Sequence, residues 1–193
     1  MGFGIHCKKR VNPKRWICRM LFWVFLVLCV NPLFAQSKWD TYETSDYSIQ
    51  YPSNWEFSTD GDFLGISITP EFTLLAPDEN PFMMVQLFYY ERDVESVDDI
   101  DLKIFRKNFE ACMQSYFKKF AVIECEQRRN ISGPYIKLMY SYEQIEQMKG
   151  ISLFFVDDDN SGYYSLQFTT LKKDFEKCKK LGEDMLNTFY IEK

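Results

Sequence analysis

The sequence predicts an α+β fold, an antiparallel sheet flanked by helices on both faces, and three observations carry that prediction. Phe82–Tyr90 holds an almost continuous apolar run (Met83, Met84, Val85, Leu87, Phe88), as expected of a strand buried on both sides. Leu102, Phe105, Phe109, Cys112, Tyr116 and Phe120 recur at helical spacing and form one apolar stripe. Four extended segments then follow one another, and a second helical stripe ends the chain. Strands in runs, with two helices segregated from them, indicate α+β rather than a parallel α/β fold.

Residues 1–35 read as an export signal. Lys8, Lys9, Arg10, Lys14, Arg15 and Arg19 precede the apolar run Met20–Val30; Asn31-Pro32 ends it, and Ala35 stands just before Gln36. A run of eleven apolar residues is too short for the ~30 Å hydrocarbon core, which argues against an uncleaved anchor. Leu28 before Cys29 is too bulky for a lipoprotein signal. Residues 36–45 read as a polar linker, and 46–193 as a single domain.

Within that domain, Tyr47–Tyr51 alternates apolar and polar residues as a half-buried strand does. Pro52-Ser53-Asn54 turns the chain, Trp55-Glu56-Phe57 starts a short extended piece, and Asp60-Gly61-Asp62 is a turn by composition. Phe72–Ala76 and Phe82–Tyr90 are strands on either side of a Pro77–Pro81 connection. Over the stripe from Leu102 to Phe120 a helix is predicted, opened by Ser96 and Asp99 as a capping box and closed near Lys118 and Lys119. Val122–Ile131, Tyr135–Gln144, Met148–Val156 and Tyr163–Thr169 form a meander, joined in part by Ser132-Gly133-Pro134 and Asp158–Gly162. Leu171, Phe175, Cys178, Leu181, Met185 and Phe189 mark the last helix. Gly182 inside it costs about 1 kcal/mol relative to alanine, which close packing on the sheet would explain.

Two stretches resemble the PsbP/Mog/DcrB-like superfamily: the opening Tyr47-Ser48-Ile49-Gln50-Tyr51-Pro52-Ser53-Asn54-Trp55 and the closing Met185-Leu186-Asn187-Thr188-Phe189. The likeness spans roughly Asp46 to Ile191. It implies an antiparallel sheet with helices on both faces, in an exported PsbP-like domain. It implies no chemistry, because that superfamily includes photosystem accessory proteins, a Ran-binding protein, exported lipoproteins and secretion-system adaptors.

Composition narrows the function further. After Gln36 the chain keeps 17 basic and all 28 acidic residues, a net charge of −11. Such a surface repels phosphate backbones, so nucleic acid and anionic membranes are excluded as partners. The sole histidine, His6, lies in the leader, which removes Ser-His-Asp and Cys-His catalysis and His-ligated metal sites. Cys112, Cys125 and Cys178 remain and allow at most one internal bridge. A Cys112–Cys125 disulfide would contribute on the order of 3 kcal/mol. The expectation is instead that all three are small buried hydrophobes with no obligatory disulfide, Cys112 and Cys178 lying on apolar helix faces.

No catalytic, cofactor-binding or metal-ligating residue emerges. Asp157–Gly162 matches the first half of a calcium loop, but Phe168 stands where the bidentate glutamate is needed, so the segment reads as a polar turn. Tyr89, Tyr90, Tyr135, Tyr140, Tyr142, Tyr163 and Tyr164 form either cross-strand packing or an aromatic binding face. Glu95, Asp98, Asp99 and Asp101 read as a solvated helix start, and Asn130-Ile131-Ser132 as a glycosylation sequon. The resulting expectation is an exported, non-enzymatic binding or accessory protein of the cell envelope, periplasmic or extracellular. It needs no cofactor, its partner is a protein or envelope component, and no span remains after signal cleavage. Two other readings stay open: a toxin immunity or inhibitor protein with an acidic face, and a carboxylate-dependent hydrolase.

Overall fold

Alternating and continuous apolar segments place most of this chain in strands. The computed structural model describes residues 38–192, apart from 60–69, 79–81, 92–95 and 158–161. In chain order the elements are β1 (Trp39–Glu43), β2 (Tyr47–Pro52), β3 (Glu56–Ser58), β4 (Phe72–Leu75), β5 (Met84–Glu91), α1 (Leu102–Gln114), β6 (Lys118–Asn130), β7 (Gly133–Glu143), β8 (Gln147–Val156), β9 (Gly162–Leu171), α2 (Phe175–Leu186) and β10 (Tyr190–Ile191). A seven-stranded sheet runs β3-β4-β5-β9-β8-β7-β6, and a small sheet runs β1-β2-β10. Every pairing is antiparallel. The fold is α+β, and β6 to β9 form the expected meander.

Several expectations need correction. Trp39–Glu43, read as part of a linker, pairs along β2 from Trp39↔Pro52 to Glu43↔Ser48. Tyr42 explains this, because its ring packs on Phe57 at 4.3 Å between centroids, so the segment has an apolar anchor. The first helix ends at Gln114, not Phe120. There the Ser115 hydroxyl donates to the Cys112 carbonyl at 2.6 Å, and Lys119 takes a left-handed φ of 51°. Phe120 therefore belongs to β6, where it is buried. Asp101, not Ser96, caps α1: its Oδ1 accepts from the Lys103 and Ile104 amides at 2.8 and 3.2 Å. Ser96 instead caps a 3-10 turn, Val97–Asp99. The leader, the cleavage point and the Asp60–Asp62 turn lie outside the described residues.

α1 also closes part of an exposed edge. β6 is the terminal strand of the large sheet, so its outward-facing backbone groups have no further strand to pair with. Residues one turn apart on α1 meet them. The Arg106 guanidinium donates to the Val122 carbonyl, Glu110 accepts from the Val122 amide at 3.3 Å, and Gln114 donates to the Phe120 carbonyl at 3.1 Å.

Burial divides into two clusters. Phe175, Met185 and Leu186 of α2 share one with Ile151, Leu153 and Phe155 of β8, with Phe168, and with Tyr47 and Ile49 of the small sheet. Leu102, Phe105, Phe109 and Met113 of α1 pack against the other, which holds Phe120, Ile136, Leu138, Tyr140 and Phe154. Neighbours Phe154 and Phe155 fall into different clusters because successive strand side chains point to opposite sides of a sheet.

Candidate functional site

Strand register sets up a contrast between the two sides of the large sheet. One row crosses five strands as Met139, Ile151, Phe168, Val85 and Leu74, all apolar and buried. The adjacent row points the other way, toward the α1 cluster, and reads Leu138, Ser152, Gln167, Gln86 and Thr73. Four of those five are polar. Ser152 is fully buried and Gln86 and Thr73 nearly so, a costly arrangement unless hydrogen bonds satisfy them.

Partners are present. Gln86 Nε2 donates to Thr73 Oγ1 at 3.2 Å. Gln167 Nε2 donates to Ser165 Oγ at 3.0 Å, while its Oε1 accepts from the Tyr140 hydroxyl at 3.4 Å. Ser152 Oγ in turn donates to that hydroxyl at 3.3 Å. Gly150 makes this possible, because a Cβ there would come within 2.8 Å of the Tyr140 ring. Burial raises the Tyr140 pKa well above the usual phenol range. It also pushes Tyr142 up to about 12 and, together with Tyr163 and Cys112, Tyr90 to about 12.

Above this polar row lies a groove of about 180 Å³ between α1 and strands β5 and β9. Phe109, Cys112, Met113 and Tyr116 border it from the helix side, and Phe88, Tyr90 and Tyr163 from the strands. Phe117, Phe120, Tyr140, Tyr142 and Phe154 continue the wall, and Gln86, Ser165, Gln167 and Thr169 supply the polar atoms. Tyr90 and Tyr163 stack at 4.8 Å and 17°, and Phe120 stacks on Tyr140 at 5.3 Å. None of the described lining side chains carries a charge.

The seven tyrosines singled out in the sequence divide between the two readings. Tyr90, Tyr140, Tyr142 and Tyr163 line the groove, whereas Tyr89, Tyr135 and Tyr164 pack in the α2 cluster. Cys112 corrects an expectation: it is exposed at the groove rim. The half-buried side of α1 follows Phe105, Phe109 and Met113 and continues past its end at Phe117, so positions 112 and 116 sit at the border, and Tyr116 is 61% exposed. Cys125 and Cys178 are half-buried, burial raises both thiol pKa values, and all three cysteines are free.

Other candidates resolve into structure. Asp98 pairs with Arg129 at 3.1 Å and accepts from Gln127 at 2.7 Å, while Asp101 caps α1. Glu95 and Asp158–Ser161 lie outside the described residues, and Phe168 is fully buried. In the sequon, Asn130 Oδ1 accepts from the Ser132 amide at 2.9 Å and its Nδ2 is buried. A second cavity of about 140 Å³ beside α2 is bordered by Lys137 and Glu183, but these neutralise each other at 2.8 Å. Gln86 sits inside an apolar strand and carries no sequence signal of its own. Only the register reveals its alignment with Gln167 and Ser152.

No protein-family model matches the sequence, and no curated protein matches it. Solved structures do. The solution structure of cyanobacterial PsbP (CyanoP) from Synechocystis sp. PCC 6803 superposes with a TM-score of 0.64 at 13% identity, over 80% of this chain and 93% of that one. The Saccharomyces cerevisiae Ran-binding protein Mog1p superposes at 0.53 and 10% identity, over 81% and 96%. At such identities the likeness is one of fold. The chain has a PsbP/Mog/DcrB-like fold, as the resemblance at Tyr47–Trp55 and Met185–Phe189 implied.

Proposed function

We propose that this chain is an exported, non-enzymatic binding or accessory protein of the cell envelope, working through the groove between α1 and β5–β9. It is built as a sandwich, with α1 on one face of the large sheet and α2 on the other, which the division of Phe154 and Phe155 between clusters supports. The observation that carries the functional reading is the uncharged, aromatic groove over a buried polar row. Hydrophobic and aromatic walls with a few placed polar groups are the usual make-up of a binding site. Export rests on the order of basic, apolar and small residues in 1–35, and the non-enzymatic reading on the lack of histidine after His6. A fold shared with a Ran-binding protein fits a module that binds rather than reacts. Among the described residues, no helix is long and apolar enough to cross a membrane.

The test is photo-crosslinking of the full chain in its own host, with a photoreactive phenylalanine analogue at the rim position Tyr116 or, as control, at exposed Lys180 on α2. Adducts from position 116 alone, in the envelope fraction, are the expected result. Adducts from both positions equally, or from neither, would remove the groove as the working surface. N-terminal sequencing of the same material is expected to start at or near Gln36. An intact Met1 in the cytosol would overturn export.

A further inference from the structure

We infer that the groove takes a neutral, flat aromatic molecule of one or two rings that carries a hydroxyl or carbonyl group, an inference that rests on the groove being the binding site. Volume sets the size. About 180 Å³ is little more than a cavity of ~150 Å³ that holds one benzene, so a bicyclic ring system approaches the upper limit. The walls set the shape. Phe88, Tyr90, Phe109, Phe154 and Tyr163 present ring faces and edges, and aromatic guests gain from offset-stacked and edge-on contacts beyond area alone.

Charge is set by what the lining omits. The described lining side chains are all uncharged, and the phenols of Tyr90 and Tyr142 hold their protons to about 12. An anion entering would shed water with no opposite charge to meet it, and for a cation the ring faces return only part of that desolvation cost. The net −11 of the chain after Gln36 adds long-range repulsion against anions.

The polar row accounts for the hydroxyl or carbonyl. The same five strands build a wholly apolar row on their other side, so the strands themselves do not require polar residues here. Gln86 and Gln167 are cross-strand partners and both line the groove, so a guest lying along α1 places its polar substituent beside two amides. A guest without such a group would leave those amides facing an apolar surface, where unmet hydrogen-bonding capacity is costly.

Cys112 provides the readout, because its exposed thiol lines the rim and an occupant shields it. The full chain is treated with iodoacetamide in the presence of 2-naphthol, naphthalene or 2-naphthoate, and alkylation of the Cys112 peptide is followed by mass spectrometry. We expect 2-naphthol to slow Cys112 alkylation at a concentration about 3- to 10-fold below that needed for naphthalene, the ratio one neutral hydrogen bond supplies. For 2-naphthoate we expect protection at least 10-fold weaker than for 2-naphthol. Gln86→Leu is expected to abolish the preference for 2-naphthol, weakening its protection and strengthening that of naphthalene, which no longer faces an unmet amide at position 86. The wild-type comparison of the two probes stands even if that variant fails to fold. Equal protection by all three probes would overturn the inference while leaving the groove as a binding site. Protection by none would overturn the inference too, and the crosslinking at Tyr116 then decides separately whether the groove is the binding site.

Discussion

Gly182 of α2 lies directly against the ring of Phe168, a fully buried side chain at the centre of β9. A Cβ at that position would overlap the Phe168 ring, so the missing side chain is what lets the helix settle on the sheet. Gly182→Ala therefore sets two effects against each other. Helix propensity favours alanine by about 1 kcal/mol. Overpacking a filled core costs about 1–3 kcal/mol, and with a rigid ring as the obstacle it wins. Urea denaturation is expected to show the variant less stable than wild type. A more stable variant would mean that α2 does not press on Phe168.

Helix capping gives a second prediction. Asp101 accepts from two amides in the first turn of α1, so Asp101→Ala is expected to cost about 1 kcal/mol. Ser96→Ala is expected to cost less, because its partner amide, Asp98, belongs to a 3-10 turn of three residues. Equal effects in thermal unfolding would count against Asp101 as the cap.

These two sites mark what the sequence could and could not convey. Gly182 stands out in an otherwise helical stripe, so its packing role was legible from period alone. The start of α1 was not, because Ser96, Asp99 and Asp101 are all acceptable caps and only backbone geometry selects one. The helix end was ambiguous for a related reason. Phe117 and Phe120 fit a helical stripe as well as a strand, and the left-handed turn at Lys119 decides between them. β6 to β9 were legible because they alternate and are separated by turn residues. β1 was hidden by its polar surroundings, with only Trp39 and Tyr42 as a hint. The polar row is the largest omission. Gln86, Gln167 and Ser152 are far apart in sequence, and their alignment exists only in the register.

Ionisation of the groove phenols gives the pH prediction. Tyr90 and Tyr142 titrate near 12 in the folded chain against about 10 when unfolded, chiefly through desolvation. Between those values the folded state holds more protons than the unfolded one, so stability falls as pH rises. Their stabilising contribution is fully present below pH 10 and is lost progressively toward pH 12. Denaturation midpoints are expected to drop over that interval, with late phenolate absorbance in the native protein. A midpoint unchanged from pH 9 to 11.5 would place these rings in water.

Phe109 joins the helix to the sheet and gives the strictest test of the α1 cluster. Its ring meets Phe154 edge-on at 5.4 Å, Phe120 at 5.8 Å and Tyr140 at 6.5 Å. It is half-buried because one side borders the groove, so truncation removes less than for a fully enclosed aromatic. Phe109→Ala is expected to cost about 2–4 kcal/mol, at and just below the low end of the range for fully buried rings. Ile104, on the same helix but 58% exposed, serves as the control. Ile104→Ala is expected to stay within about 0.5 kcal/mol of wild type. If urea denaturation shows the two substitutions alike, α1 does not pack on this sheet through Phe109. The groove would then lose its helical wall.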